Sequence, residues 1–155
     1  MTPNLRRDCG GSCFAPRSGS TACTWVRCWA DDSCCSPHTG RKTGRRRRVV
    51  LEIVGHDPER RIYHLASGYG PRAQWFRNIQ QHPAITIQVG GQSTAATAAP
   101  LPPTESGRAM VEYAQRHPRL ARRLMRFCGY EVDGSDQDYF AIGRDHVPIV
   151  EVTVA

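Results

Sequence analysis

The sequence predicts an α+β chain, mainly β with helices, whose antiparallel sheet closes into a small barrel. Three observations predict it. Strand-like segments follow one another across short turns, at Gly55-His56-Asp57-Pro58 and at Gly90-Gly91. Helical spacing is confined to residues 74–81, to residues 104–127 and to a short piece near Tyr139. Strands do not alternate with long helices, and no glycine-rich phosphate loop follows the first strand, so a dinucleotide-binding parallel sheet is excluded.

The elements follow in order. Val49-Val50-Leu51-Glu52-Ile53-Val54 is a β-branched apolar run and reads as a strand. Gly55-His56-Asp57-Pro58 supplies turn residues, and residues 61–66 then alternate polar with apolar, completing a hairpin. Ser67-Gly68-Tyr69-Gly70-Pro71 is a loop. Residues 74–81 read as a short helix with Trp75, Phe76 and Ile79 on one face, ended by Pro83. Ile85, Ile87 and Val89 alternate with polar residues as a half-buried strand does. Gly90-Gly91 turns the chain into a strand over about residues 92–98. Thr104 is read as the N-cap of a helix reaching about His117. A second helix follows Pro118, with Leu120, Leu124 and Phe127 on one side and Arg119, Arg122, Arg123 and Arg126 mostly on the other. Ser135-Asp136-Gln137-Asp138 has the spacing of a capping box and opens a short turn around Tyr139. Residues 147–154 form the last strand.

The 155 residues suit one domain. Net charge is +7, and of 21 basic residues only Lys42 is lysine. No apolar run approaches the roughly 20 residues of a membrane-spanning helix, and no apolar core follows Arg6 and Arg7 to make a secretory signal. A cytoplasmic location with free thiols is expected, with peripheral contact to a membrane as an open alternative.

Residues 1–37 differ from the rest. They hold six of the seven cysteines (Cys9, Cys13, Cys23, Cys28, Cys34 and Cys35) together with Trp25 and Trp29, and no Lys, Glu, Gln, Ile, Tyr or His. Zinc binding, a disulfide framework and a redox pair at Cys34-Cys35 are each weighed. The spacings are untidy for a zinc site, and the favoured reading is a leader without fixed structure or a stretch translated from a wrong start or frame. The expected folded domain is residues 38–155, and the leader is expected to add nothing to its binding.

Thr39-Gly40-Arg41-Lys42-Thr43-Gly44 brackets two cations and a hydroxyl between glycines. Backbone amides freed of a Cβ can turn toward an anion there, so the segment suits phosphate. It lacks the four-residue gap of a Walker loop, and a solvated turn, a nucleic-acid patch or a localisation signal fits the same residues. Arg45-Arg46-Arg47-Arg48 extends the run, as an ordered barrel rim or as a basic linker. Few aromatics interleave it, which argues against nucleic acid. Trp75 reads as core or as a pocket wall. His82, His117 and His146 form no ligand set, and no metal is expected.

Taken together, the 39–44 segment with Arg47, the run Tyr63-His64-Leu65-Ala66-Ser67-Gly68, the run Trp75-Phe76-Arg77-Asn78-Ile79 with His82-Pro83, the run Thr86-Ile87-Gln88-Val89-Gly90-Gly91 and the closing Val147-Pro148-Ile149-Val150 resemble the deazaflavin-dependent nitroreductase and quinone reductase family. The resemblance spans residues 38–155 in unbroken order. It implies a split β-barrel of the kind that also binds flavin mononucleotide (FMN), here taking coenzyme F420. It implies that Arg41, Lys42, Thr43, Gly44 and Arg47 hold the cofactor's phosphate and acidic tail, that Ala66, Ser67 and Gly68 lie beside the deazaflavin, and that Trp75 walls it. Tyr139 stands for a substrate-side tyrosine, whereas Asp133 and Asp136 replace tyrosines of some relatives. Ser67 and Tyr139 are the candidates to hydrogen-bond the anion developing on the acceptor. Cys34-Cys35-Ser36-Pro37-His38 stands where relatives have an apolar strand, and Pro37 cannot donate to a ladder. The first barrel strand is therefore expected to be missing, leaving an unpaired edge.

The expected activity is hydride transfer from reduced F420 to a quinone, a nitro compound or a similar small-molecule acceptor. The alternatives are an FMN oxidoreductase on the same barrel, and a non-catalytic basic module for nucleic acid or anionic membrane.

Overall fold

A computed structural model describes residues 33–155. Six antiparallel strands and four helices follow in the order β1 (Ser33–Thr39), β2 (Arg46–Asp57), β3 (Ile62–Ala66), α1 (Gln74–Gln81), β4 (Ala84–Val89), β5 (Gln92–Pro100), α2 (Pro103–Arg116), α3 (Pro118–Phe127), α4 (Asp136–Asp145) and β6 (Ile149–Val154). The strands close in the order β1-β2-β3-β6-β5-β4, the closing β1–β4 seam resting on a single residue pair.

The expected gap at the first strand is not there. β1 pairs with β2 along its whole length, from Ser33 with Glu52 to Thr39 with Arg46, and meets β4 at Cys35 and Gln88. Pro37 sits opposite Arg48. A proline removes one N–H, hence at most one ladder bond, and the register runs unbroken on either side of it. The barrel thus takes in residues 33–37, ahead of the expected start at His38. The readings of Cys9, Cys13, Cys23 and Cys28 lie outside the described residues.

β2 is longer than the apolar run at its centre. It takes in Arg46, Arg47 and Arg48 at one end and Gly55-His56-Asp57 at the other, so the turn falls at residues 58–61. Gly55, expected in the turn, lies where the β2–β3 register slips between Ile53 and Gly55. A Cβ there would stand 3.0 Å from His64 Nδ1. The Gly90-Gly91 hairpin forms as expected, both residues at positive φ (55° and 83°).

The barrel interior is filled by Leu51, Ile53, Leu65, Ile85, Ile87, Ala96, Ala98, Val150 and Val152, with Trp75, Phe76 and Ile79 of α1 packed among them. A second core lies outside the barrel wall. There Val54, Ala66, Val147 and Ile149 meet Met110, Tyr113, Ala114, Ala121, Met125, Tyr139 and Ile142 of α2, α3 and α4. Alternation along β3 explains the division, since Leu65 points inward and Ala66 points to the helices.

The cap assigned to Thr104 is absent. α2 begins on Pro103 with no side-chain cap, because proline's missing N–H falls where the first helical turn needs no donor. Ser135 does cap α4, accepting from Asp138 N at 3.2 Å, but the element it opens is a ten-residue helix rather than a short turn.

Candidate functional site

The segment between β1 and β2 is a tight hairpin tip. Gly40 N donates to Arg45 O at 2.9 Å, and Gly44 N donates to Gly40 O at 2.8 Å. Gly44 adopts φ +64°, a conformation glycine takes without strain. Gly40 is glycine for space. A Cβ on it would lie 3.0 Å from Arg47 Nε and 3.3 Å from Thr43 Oγ1, so the Arg47 side chain folds back over the tip.

The tip is docked on α1. Arg41 N donates to Asn78 Oδ1 at 3.1 Å, and Arg41 Nη1 donates to Gln74 Oε1 at 2.8 Å and to Asn78 Oδ1 at 3.2 Å. Asn78 is 2% exposed and holds both the backbone and the side chain of Arg41. Lys42, Thr43, Gly44 and Arg47 remain exposed. The rim therefore offers two cationic side chains and a hydroxyl, on a base fixed by Arg41. Such an arrangement suits a phosphate or a carboxylate. Sequence reasoning missed Gln74 and Asn78, which look like ordinary polar positions of a short helix.

Trp75, one residue along from Gln74, is 4% exposed and stands edge-on to Phe76. Its indole Nε1 is buried with no hydrogen-bond partner. An unpaired buried donor costs free energy, and here it belongs to the residue next to Gln74, which holds Arg41. A polar ligand atom at that place would satisfy it. Both the rim and this donor fit an anionic, flat cofactor.

The loop after β3 leads straight into α1. Gly70 N donates to Ser67 O at 2.8 Å, and Ala73 N donates to Gly70 O at 3.2 Å. Ser67 is fully buried, its N donating to Pro148 O and its hydroxyl to Gly70 O at 3.0 Å. That hydroxyl is committed to holding the loop. The backbone approach at Gly68 is toward the protein itself, for a Cβ there would stand 2.8 Å from Cys128 Sγ. Ala66 and Tyr139 are buried together in the helical core, Tyr139 at 3% exposure. The structure thus gathers Arg41, Lys42, Thr43, Gly44, Arg47 and Trp75 at one barrel end, with the 67–70 loop leading into the same helix, and sets Tyr139 apart.

Other groups line the loop. Tyr69 is 68% exposed and meets Phe127 edge-on, ring centroids 6.4 Å apart. Tyr130 stacks on His146 at 5.4 Å, and a Cβ on Gly70 would lie 2.9 Å from His146 O. Burial, with the neighbouring Cys128 as a second cause, raises the Tyr130 phenol above its ordinary value, so it stays protonated. Tyr130 follows Cys128-Gly129, a position whose only signal in the sequence is a lone aromatic after a helix. A separate concavity of about 240 Å³, lined by His56, Tyr63, Val89 and Val154 among others, lies at the far barrel end.

Among the described residues, no helix is long and apolar enough to cross a membrane.

No curated protein matches the chain. Among solved structures it is similar to an F420-H2 dependent reductase (FDR-A), with 19% identity and a TM-score of 0.52, over 78% of this chain and 93% of that one. It is similar to an F420 reductase at 13% identity and TM-score 0.52, over 81% and 87% of the two chains. A pyridoxamine 5'-phosphate oxidase-related, FMN-binding protein from Nostoc punctiforme matches at 13% identity and TM-score 0.53, over 80% and 71%. At these identities the likeness is one of fold, the split barrel that F420- and FMN-binding reductases share. The family model described as F420H(2)-dependent quinone reductase matches residues 24–126, more than half of the sequence and including β1. The chain therefore belongs to the F420H(2)-dependent quinone reductase family of oxidoreductases.

Proposed function

We propose that this chain binds coenzyme F420 at the α1 end of the barrel and reduces a quinone, or a nitro compound of similar size, with hydride from the reduced cofactor. One observation carries the reading: the cationic hairpin tip docked by Arg41 on Gln74 and Asn78 of α1, the helix that also carries the unpaired indole N–H of Trp75. Lys42, Thr43 and Arg47 hold the cofactor's phosphate and acidic tail by charge-assisted hydrogen bonds. Gly44 lets the backbone turn toward them. Trp75 Nε1 donates to a polar edge of the ring system. Reduced F420, when bound, supplies hydride chemistry that no side chain offers.

The chain's own contribution on the acceptor side is a protonated donor and an apolar cover. Ser67 and Ala66 shape the loop from beneath, and Tyr139 packs the helices that support it. To Tyr130, half-buried and kept protonated by burial, we assign donation to the acceptor oxygen as negative charge develops on it. Tyr69 covers the loop from outside.

FMN is the second reading, favoured by the likeness to an FMN-binding barrel and by a rim that would suit any phosphate. A titration of the purified chain with F420 and with FMN in parallel separates the two. F420 is expected to bind at least tenfold more tightly. Turnover is then monitored by cofactor absorbance with reduced F420 and with NADPH as donors, against a quinone and a nitroaromatic. Turnover with reduced F420 alone supports the reading. Turnover with NADPH alone, or tighter FMN binding, overturns it.

A further inference from the structure

The barrel has a second open end, opposite the 40–44 tip, between the β2–β3 turn and the Gly90-Gly91 turn. Along the strands the inward positions are apolar until this last layer. Tyr63, Val89 and Val154 pack on the barrel core and Ile87 is buried within it. These four floor the concavity of about 240 Å³. The inward positions beyond them are polar. Thr94 and Gln92 continue the alternation of Ala98 and Ala96 along β5, and His56 and Arg61 complete the mouth.

His56 is there because of a bulge. Ile53 lies opposite Leu65, but Gly55, not Val54, lies opposite His64. Val54 is the extra residue and turns to the helical core. Without it Gly55 would oppose Tyr63. With it His56 does, and the two rings stack with centroids 4.1 Å apart and planes 8° apart. Bulges at barrel rims re-aim side chains in this way. Arg61 is held as unusually. Its φ of +56° is the one positive value at a non-glycine among the described residues, a conformation that costs free energy at a residue with a Cβ. Its carbonyl accepts from Val154 N at 2.9 Å, which ties that backbone to the last strand. Its guanidinium is in no ion pair among the described residues. Asp57, where the turn starts, is engaged with Arg60 and with the Glu59 and Arg60 amides.

We propose that the far barrel mouth binds a small planar organic anion, an aromatic carboxylate of a single ring, separately from the site at the α1 end. The carboxylate meets the Arg61 guanidinium, whose fork of donors matches two carboxylate oxygens. The ring lies on the apolar floor beside the His56–Tyr63 stack. The concavity is smaller than the roughly 300–1,000 Å³ of sites for drug-sized ligands, which limits the occupant to a single ring. Nothing at this end depends on which cofactor the α1 end takes.

The test is a titration of the full chain with benzoate, followed through its backbone amide resonances. Saturable shifts are expected at residues 56–63 and 89–94, and not at residues 40–47. Benzamide, of the same shape without the charge, should bind about tenfold more weakly. Acetate, which keeps the charge without the ring, should bind severalfold more weakly. Arg61→Gln keeps most of the stem and removes the charge, and should weaken benzoate binding by about tenfold or more. His56→Ala, which removes half of the ring stack, should weaken it severalfold. Arg46→Gln, at the opposite end of β2, should leave it unchanged. Thermal unfolding checks that each variant is folded, and the benzamide comparison uses the native protein, so it stands even where a variant fails to fold. Shifts confined to residues 40–47 overturn the proposal, as does benzamide binding as tightly as benzoate. Undiminished binding in folded Arg61→Gln overturns it too.

Discussion

Trp75 holds a buried indole N–H without a partner, and two effects of replacing it have opposite signs. In Trp75→Phe the cofactor-free protein loses ring volume but also loses an unpaired donor that costs about 1–3 kcal/mol. The net change in unfolding free energy should fall within about 1 kcal/mol. Affinity for F420 should fall all the same, by about tenfold, and comparing urea unfolding with a cofactor titration separates the two. Lys42 lies on the exposed rim. A charge-assisted hydrogen bond contributes about 1.5–3 kcal/mol, so Lys42→Ala should weaken F420 binding tenfold or more at moderate salt and leave the melting temperature unchanged. Cys128 is distinguished by its environment. Burial, with the Glu52 carboxylate as a second cause, pushes its thiol up to about 11 from 9.0. Because the folded value exceeds the unfolded one, this group's contribution is complete below pH 9 and declines as pH rises toward 11. The urea midpoint of the native protein should therefore drop more steeply between those pH values than that of Cys128→Ala. The cationic rim was legible in the sequence because glycines bracket Arg41 and Lys42. Its dock on Asn78 was not, since a polar residue 37 positions away carries no local sign of the contact.

Between elements, the joint of α2, α4 and β6 rests on one hydroxyl. Ser106 is 1% exposed, donates to Gly143 O at 2.6 Å and accepts from Ile149 N at 2.8 Å. Close approach is what makes this possible, since a Cβ on Gly143 would lie 2.7 Å from Met110 Cβ. Ser106→Ala would leave a buried carbonyl and a buried N–H unpaired, and should cost about 1–3 kcal/mol by urea denaturation, with no direct effect on the cationic rim. The element types were readable from periodicity, and α1 and the glycine hairpin came out as expected. The ends were less so. Pro103 rather than Thr104 opens α2, and β2 runs on through Gly55, because pairing partners distant in sequence decide where a strand stops.

Across the whole molecule, β1 decides closure. It is the neighbour of both β2 and β4, so a chain beginning at His38 would keep only two of its seven residues and expose two edges at once. Such a truncation should melt well below the full chain, aggregate on heating and lose F420 binding, because the 40–44 tip hangs between β1 and β2. Thermal unfolding monitored by light scattering, with a cofactor titration on the same sample, checks it. A truncation as stable as the full chain would mean that some other segment closes the barrel.

What the amino-acid order alone determined is the local grammar: which runs are strands, where glycine permits a turn, and that a cationic loop precedes an antiparallel sheet. These are properties of neighbours along the chain, so they can be read from it. Only the tertiary structure decided that a cysteine–proline stretch without strand-like composition completes the barrel, that the Ser67 hydroxyl is spent on Gly70 O, and that Tyr139 is sealed under helices while Tyr130 stays half-buried. Pairing, burial and hydrogen-bond commitment are made by residues far apart in sequence, and a strand of poor intrinsic propensity forms when both of its neighbours offer open ladders.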